Sequence, residues 1–295
     1  MTPQRRLGQF TVSAIGYGAM PLSLRNGPIV DESAAIRTIH AALDAGITLV
    51  DTADIYAPTW DTMGHNEALV AKALQQWGGD RDNVVVATKG GIARYEGEGW
   101  GRNGSAEYLR GAVEKALRLL GVEAIDLFYW HRPDRTRPYA DGVAALKQLK
   151  DEGKIREVGV SNANVEEIQV AVEVLGEGGL AAVQNEFSPR FNHTSWQELR
   201  WCGDRGIAFV PFSPLGAGHY AKGLGDRFPE IRAVAQNHGV SPQQVTLAWE
   251  LALGDHVIPI PGATRAESII DSAKAMDLQL TEAELDVLNA RLLTE

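Results

Sequence analysis

The chain has 295 residues, a formal net charge of −10 and a single cysteine, Cys202. Its length suits one large domain or two small ones, and its negative charge argues against a nucleic-acid partner, which would favour a basic face. One cysteine cannot form an internal disulfide, a pattern that fits a reducing compartment. The first residues include no apolar signal region, and no run reaches the roughly 20 apolar residues needed to cross a bilayer. We therefore expect a cytoplasmic protein that does not bind a membrane.

Strand-like and helix-like segments alternate along the whole chain, after a hairpin predicted over 5–18. Eight strands are predicted, at 15–20, 47–51, 84–88, 125–130, 157–161, 183–186, 207–212 and 257–260. Helices are predicted at about 31–45, 64–77, 105–120, 138–152, 164–175, 196–205, 229–238, 242–252 and 265–276. The Gly-rich segment 90–104 is interpreted as a loop. A closing helix over 281–293 begins with a capping box, in which Glu284 follows Thr281 by three residues.

Alternation of strands with helices predicts a parallel sheet. Eight such strands favour an α/β fold of the (β/α)8 barrel type, with an N-terminal β-hairpin and a C-terminal helix, as one domain over 1–295. The main rival is an open doubly wound sheet, which carries a Gly-rich phosphate loop after its first strand. The segment IGYGAM at 15–20 has no GxGxxG pattern, so the barrel is the preferred interpretation.

Polar residues follow the apolar runs where three successive strands end. Asp51 ends one strand, with Tyr56 five residues later, and Lys89 and His131 end the next two. The active site of a barrel is built at these strand ends. A buried lysine needs a partner, for which Asp51 is the candidate, and a nearby cation is expected to lower the pKa of Tyr56. Such a tyrosine suits protonation of an oxygen that gains charge as hydride arrives at carbon.

Each of these residues also has a purely structural explanation when it is considered alone. A strand-end aspartate can cap a helix, an Asp–Lys pair can be a structural ion pair, and a histidine beside aromatic residues can simply be packed. The combination on three successive strands favours function over these alternatives.

With those residues, the sequence resembles the aldo/keto reductase superfamily. The matching stretches follow one another from 47 to about 272: DTADIY with GHNEALVAKAL, VVVATKG, DLFYWHRPD, KIREVGVSN, VQNEFSP, PFSPLGAG and IPIPGATR. The resemblance implies NADPH-dependent reduction of aldehydes or ketones without a metal. It also implies that Tyr56 is the proton donor, that Lys89 lowers its pKa, that Asp51 holds Lys89 and that His131 orients the carbonyl.

The same resemblance implies the cofactor-binding residues. Ser161, Asn162 and Gln184 would hold the nicotinamide carboxamide, and Phe212 would stack on the nicotinamide ring. The residues that would line the pyrophosphate are Ser213, Pro214, Leu215 and Gly216. The segment GAGHYA at 216–221 also fits the GxGxxA dinucleotide pattern. Within PFSPLGAGHY it resembles the family's phosphate-covering loop instead, so the Rossmann interpretation is rejected.

The sequence departs from the family pattern in the segment that would contact the adenosine phosphate. Many relatives have a lysine directly after the proline and an arginine six residues later, whereas Gly262 and Ser268 occupy those positions here. Arg265, at the start of the last barrel helix, could supply the missing charge or could be an ordinary surface arginine. With Thr264, these residues complete the predicted cofactor site. NADPH is expected, and NADH is the alternative.

The predicted substrate pocket is lined by aromatic residues in loops on the catalytic side: Trp60, Tyr95, Trp100 and Phe191. Each could instead pack against its own loop. No histidine pair has a metal-binding spacing, so no metal is expected. The predicted partner is a small carbonyl substrate, bound by a monomer or a weak homo-oligomer. Two functions remain as alternatives: an NADPH-binding regulatory subunit with little turnover, and a Schiff-base enzyme that uses Lys89 as nucleophile.

Overall fold

The computed structural model describes residues 2–25, 27–193 and 195–293. Residues 1, 26, 194, 294 and 295 of the predicted domain lie outside the described residues. The described strands are β1 (Gln4–Leu7), β2 (Phe10–Ser13), β3 (Tyr17–Gly18), β4 (Leu49–Asp51), β5 (Val85–Gly90), β6 (Ile92–Tyr95), β7 (Gly99–Arg102), β8 (Ile125–Trp130), β9 (Ile155–Ser161), β10 (Leu180–Gln184) and β11 (Ala208–Phe209).

Seven of these strands form one parallel sheet in the order β3-β4-β5-β8-β9-β10-β11. The segment 257–262 joins the two edges of this sheet, since Val257 forms a parallel bridge with Phe209 and Gly262 forms one with Gly18. Two prolines in the segment have no N–H to donate, which explains why it forms isolated bridges instead of a continuous strand. The predicted (β/α)8 barrel is therefore confirmed.

The helices cover the outside of the sheet, as the alternation predicted. They are α1 (Glu32–Asp44), α2 (His65–Gln76), α3 (Ala106–Leu120), α4 (Tyr139–Asp151), α5 (Val165–Leu175), α6 (Trp196–Gly203), α7 (Gly218–Lys222), α8 (Leu224–Arg227), α9 (Pro229–His238), α10 (Pro242–Ala252), α11 (Ala266–Ala273) and α12 (Glu282–Leu292). The predicted capping box is present, because the backbone N–H of Glu284 donates to the Thr281 hydroxyl. No helix within the described ranges is long and apolar enough to cross a membrane.

The antiparallel hairpin β1–β2 closes one end of the barrel. Its Leu7 and Val12 pack with inward-facing residues of the parallel strands, such as Leu49 and Leu127, in one buried cluster. Strand residues next to the inward-facing ones, such as Phe128 after Leu127, belong instead to a larger hydrophobic cluster between the sheet and the helices. The barrel interior is therefore filled with side chains at the hairpin end, so a functional site has room only at the opposite end, where the strands finish.

The segment 90–104, predicted as a loop, contains a second antiparallel hairpin, β6–β7. Its turn passes through Gly97 and Glu98, both with positive φ. Four glycines over 97–104 hid the strand pattern in the sequence, because glycine weakens any strand prediction. The hairpin lies directly after the strand that carries Lys89, which places it beside the end of the barrel where the parallel strands finish.

Candidate active site

Alternation along the strands decides which polar residues enter the barrel. Successive strand residues point to opposite faces, so Lys89 shares the inward face with Ala87, and Asp51 shares it with Leu49. By the same count Gln184 follows the inward Ala182. These polar side chains therefore lie one layer above the apolar filling of the barrel.

Lys89 is the centre of the site and is completely buried. Its Nζ donates to Asp51 Oδ1 at 2.5 Å and to the backbone oxygen of Thr52 at 2.8 Å. A third contact, at 3.3 Å, reaches the hydroxyl of Tyr56. Burial lowers the pKa of Lys89, but attraction to Asp51 and Tyr56 outweighs burial and raises it. Lys89 is therefore a cation at neutral pH.

Asp51 connects Lys89 with the other half of the barrel. Its Oδ2 accepts a hydrogen bond of 2.8 Å from Nε2 of Gln184. Burial raises the pKa of Asp51, while Lys89 and Gln184 act in the opposite direction. Each carboxylate oxygen thus has a donor, the arrangement that a buried charge requires.

Tyr56 lies at the mouth of the barrel and is 7% exposed. Burial raises the pKa of its hydroxyl, and the Lys89 cation reduces this shift without reversing it. The expected net lowering of the Tyr56 pKa was therefore wrong, because the sequence shows the cation but not the depth of burial. The hydroxyl is protonated at neutral pH, as a proton donor must be.

His131 stands beside Tyr56, with the two rings edge to face at a centroid distance of 5.8 Å. Its backbone N–H donates to the Gly90 oxygen at 2.9 Å, which fixes the residue at the end of its strand. Burial lowers the pKa of His131 well below its ordinary value, and the positive charges of Lys89 and Arg132 lower it further. The ring is therefore neutral. Its buried Nδ1 has no hydrogen-bond partner among the described residues.

Three residues expected to bind the cofactor lie directly beside the side chains just described. Ser161 is buried at the end of β9, and Asn162 follows it with a φ of 57°. The side-chain nitrogen of Asn162 donates to the His131 oxygen and to Ser161 Oγ, both at 3.0 Å. The backbone N–H of Asn162 donates to the Gln184 oxygen at 3.0 Å. Ser161, Asn162 and Gln184 thus adjoin the proposed catalytic residues.

The loop predicted to bind the pyrophosphate follows the seventh barrel strand. Phe212 contacts the cluster inside the barrel, and its N–H donates to the Asn185 oxygen at 3.0 Å. Ser213, Gly216 and Ala217 have φ values of 52°, 77° and 68°. Pro214 is buried, and Leu215 is half-buried against a second hydrophobic cluster, which includes Tyr17 and Ile269. Turns with left-handed residues can form concave groups of backbone N–H donors that bind anions.

Packing explains the glycine that replaces a lysine in this sequence. A Cβ built on Gly262 would lie 2.8 Å from Cγ of Pro21, so a larger residue requires a local shift. Arg265 precedes α11 and is exposed, and its Nη2 donates to Ser268 Oγ at 3.3 Å. Thr264 is half-buried next to it. The only cation predicted for this segment thus lies at a helix N-terminus, next to a hydroxyl.

The aromatic residues predicted for the substrate pocket separate into two groups. Trp60, Tyr95 and Trp100 are 37%, 53% and 52% exposed. Trp60 and the β6–β7 hairpin are joined, because the Trp60 N–H donates to Glu98 Oε1 at 3.0 Å. Phe191 packs in its own loop, where its N–H donates to the Ser188 oxygen at 3.0 Å and its ring lies 5.1 Å from that of His193.

Several charged residues around the site were not singled out from the sequence. Arg132 directly follows His131, and Arg94 lies in the hairpin after Lys89. Glu67 is completely buried and accepts a hydrogen bond of 2.6 Å from Thr88, the neighbour of Lys89. Their proximity to motif residues was visible in the sequence, but their burial and partners were not. Within the described residues, no group of three or more His, Cys, Asp or Glu could hold a metal ion.

The comparisons with known proteins agree with one another. The model of the aldo/keto reductase family matches residues 14–291. A protein of Glycine max, the probable aldo-keto reductase 1, is 34% identical over 301 residues, which cover 94% of this chain and 84% of that protein.

Two solved structures show the same similarity. An aldo/keto reductase from Klebsiella pneumoniae, in complex with NADP and acetate, has a TM-score of 0.81 and 28% identity, covering 99% of this chain and 96% of the other. The glycerol dehydrogenase from Gluconobacter oxydans also has a TM-score of 0.81, with 26% identity and coverage of 98% and 96%. The chain belongs to the aldo/keto reductase family.

Proposed function

We propose that the protein reduces an aldehyde or ketone to the alcohol with NADPH, using Tyr56 as the proton donor. One observation carries this proposal: Lys89 contacts Asp51 and the Tyr56 hydroxyl at the same time, deep in the open end of the barrel. A cation held against a phenol stabilises the phenolate that remains after the proton leaves. Tyr56 and Lys89 thus supply the proton and the stabilisation of the phenolate that carbonyl reduction requires of the protein.

The carbonyl oxygen of the substrate would accept hydrogen bonds from the Tyr56 hydroxyl and the neutral imidazole of His131. The Tyr56 hydroxyl keeps its proton at neutral pH because burial raises its pKa, whereas burial lowers the pKa of His131, whose neutral imidazole still has one N–H to donate. As negative charge grows on the oxygen, the Tyr56 proton moves to it. Lys89 then stabilises the phenolate, and Asp51 keeps the ammonium group in place.

The residues present fit NADPH. Ser161, Asn162 and Gln184 offer hydroxyl and amide groups beside the proposed proton donor, and the left-handed turn at Ser213 offers an anion site. NADPH would supply the hydride. Two solved structures support this assignment, because aldo/keto reductase from Klebsiella pneumoniae was solved in complex with NADP and in complex with NADPH. Arg265 favours NADPH over NADH, because it is the cation available for an additional phosphate.

The decisive experiment measures NADPH oxidation with a small aromatic aldehyde. Tyr56→Phe should lower kcat by about 10²–10⁴-fold, the contribution expected of general acid catalysis. Its affinity for NADPH, measured by quenching of protein fluorescence, should stay within about twofold, since the lost hydroxyl faces the substrate.

Tyr139→Phe is the matched control. The Tyr139 hydroxyl is buried at the start of α4 and has no hydrogen-bond partner among the described residues. Its removal should leave kcat unchanged. Full activity of Tyr56→Phe would refute the proposed role. Tight NADPH binding without turnover on a panel of aldehydes and ketones would favour a regulatory subunit instead.

A further inference from the structure

Arg94 is a buried charge that the proposed chemistry does not use. It lies on β6, in the hairpin after Lys89, and only 2% of its side chain is exposed. Its Nη1 donates to the backbone oxygen of Ala57 at 2.7 Å and approaches that of Ile55 at 3.4 Å. The two carbonyls belong to the residues on either side of Tyr56. A single guanidinium nitrogen therefore holds the backbone on both sides of the proposed proton donor.

The opposite end of the guanidinium is held by Glu98. Nη2 of Arg94 forms an ion pair with one carboxylate oxygen of Glu98, at the turn of the hairpin. The other oxygen accepts the backbone N–H of Trp60 at 3.0 Å. Glu98 has a φ of 63°, a conformation that few residues other than glycine adopt, and these two contacts help to hold it. The Trp100 ring lies 5.2 Å from the guanidinium carbon.

We call these contacts the Arg94–Glu98 clamp. Residues 55, 57 and 60 belong to the loop that carries Tyr56, whereas the clamp residues belong to a hairpin that begins after Lys89. The clamp therefore joins the loop of the proton donor to the strand of the cation. Lysine could not reproduce it, because a planar guanidinium directs donors to both sides and an ammonium does not.

The contact between Tyr56 and Lys89 explains why the clamp matters. At 3.3 Å the hydroxyl is at the long end of hydrogen-bond distance, so a small backbone shift would break the contact. A misplacement of about 1 Å at a reacting group can cost about 100-fold in rate.

We propose that Arg94 is a positioning residue for Tyr56, acting through the Arg94–Glu98 clamp. The inference rests on the proposed function, in which Tyr56 donates the proton. It assigns no contact with substrate or cofactor to Arg94. It gives the β6–β7 hairpin a role in the reaction, because the hairpin carries the residues that hold the Tyr56 loop.

The first arm of the test is kinetic, with Arg94→Ala and Arg94→Lys in the full-length protein. Both should lower kcat by about 10-fold to 100-fold, with the Kd of NADPH unchanged within about twofold. Guanidinium chloride at millimolar concentration should restore part of the activity of Arg94→Ala, since the small cation can enter the vacated space, and should not restore that of Arg94→Lys.

Arg110→Ala is the control for loss of an ion-paired arginine, because Arg110 of α3 pairs with Glu152, directly after α4, outside the site. It should keep its kcat with or without guanidinium. Glu98→Ala is the milder variant, which keeps Arg94 but removes the opposite half of the clamp, and it should show a smaller loss of kcat. It also provides a test if Arg94→Ala does not fold.

The second arm needs no turnover. Hydrogen exchange of the backbone amides should increase in the segment 53–60 of Arg94→Lys or Glu98→Ala, relative to the wild-type protein, and should stay unchanged in α4. Unchanged kcat together with unchanged exchange in 53–60 would overturn the inference. If the wild-type protein turned over no carbonyl substrate, the proposed function would fail, and the exchange result alone would decide whether the clamp holds the Tyr56 loop.

Discussion

The side-chain amide of Gln184 donates a hydrogen bond of 2.8 Å to Asp51, which also accepts one from Lys89. Gln184 belongs to the residues expected at the nicotinamide, and Asp51 to those expected to move the proton. The two sets are therefore connected through one carboxylate, although 133 positions separate the residues in the chain. A change at the cofactor side should reach the Lys89 ammonium through this bond.

Gln184→Met tests that connection. Loss of the amide should weaken NADPH binding, and it should also lower kcat at saturating NADPH by about 3-fold to 10-fold, because Asp51 loses one of two donors. Kd and kcat are measured by fluorescence titration and by NADPH oxidation. Gln148→Met on the exposed side of α4 is the control. A weaker Kd with an unaltered kcat would show that Gln184 acts on the cofactor alone.

Removing both charges of the buried Lys89–Asp51 pair should cost less free energy of unfolding than removing the lysine charge alone. Lys89→Met leaves the Asp51 carboxylate without its cation, a loss that typically costs about 3–5 kcal/mol. Asp51→Asn in the same chain removes the orphaned charge and should recover most of that free energy of unfolding, as measured by urea titration. Both variants should be inactive, since neither has the cation beside Tyr56. A double variant no more stable than Lys89→Met would contradict the ion-pair description.

The sequence predicted the convergence of Asp51, Lys89 and His131 because it follows from strand periodicity and barrel topology. It could not give the net pKa shift of Tyr56, since burial and the nearby cation act in opposite directions and only their distances decide the sum. The Arg94–Glu98 clamp was equally inaccessible. The clamp depends on how the glycine-rich β6–β7 hairpin packs against the loop that carries Tyr56. No sequence pattern within the hairpin or within the loop predicts that contact.

Glu67 should make stability depend on pH. Burial raises the pKa of its carboxyl from 4.5 to about 7, against the opposing hydrogen bond from Thr88. At a pH between 4.5 and about 7, the folded chain keeps a proton on Glu67 that the unfolded chain has lost. The stabilisation that this proton gives to the folded state is therefore complete below pH 4.5 and disappears as the pH rises to about 7.

From pH 5 to pH 8, the wild-type protein should therefore lose about 2–3 kcal/mol of unfolding free energy relative to Glu67→Gln. The Gln side chain keeps an oxygen for Thr88 and does not titrate. Urea unfolding of both proteins at the two pH values gives the difference. Glu282→Gln, at an exposed position of α12, is the control for removal of one carboxylate. A pH-independent difference for Glu67→Gln would rule out an elevated pKa.

Arg265 should control the choice between the two nicotinamide cofactors. Its exposed guanidinium lies beside Ser268 Oγ at the start of α11, and Pro21 crowds the position at Gly262 where a lysine could otherwise stand. Arg265→Gln should raise the Kd of NADPH by about 10-fold and leave that of NADH nearly unchanged, because only NADPH carries the additional phosphate. Lys72→Gln, on the surface of α2, serves as the control. Equal changes for both cofactors would exclude a phosphate contact.

Arg132 should favour substrates that carry a negative charge. It is half-buried and directly follows His131 in the chain. Burial lowers the pKa of Arg132, and repulsion from Arg102 lowers it further, whereas Glu186 and Tyr56 act in the opposite direction. The positive charge of Arg102 thus repels that of Arg132, directly after His131, and an anionic substituent on the substrate would relieve this repulsion.

Arg132→Gln should therefore lower kcat/KM for 4-carboxybenzaldehyde by about 10-fold and change that for benzaldehyde by less than about 2-fold. The preference of the wild-type enzyme for the carboxylate should decline as ionic strength rises, since salt screens an exposed charge pair. Arg200→Gln on the exposed face of α6 controls for the change in net charge. An equal loss for both aldehydes would mean that Arg132 supports His131 instead of recognising the substrate's charge.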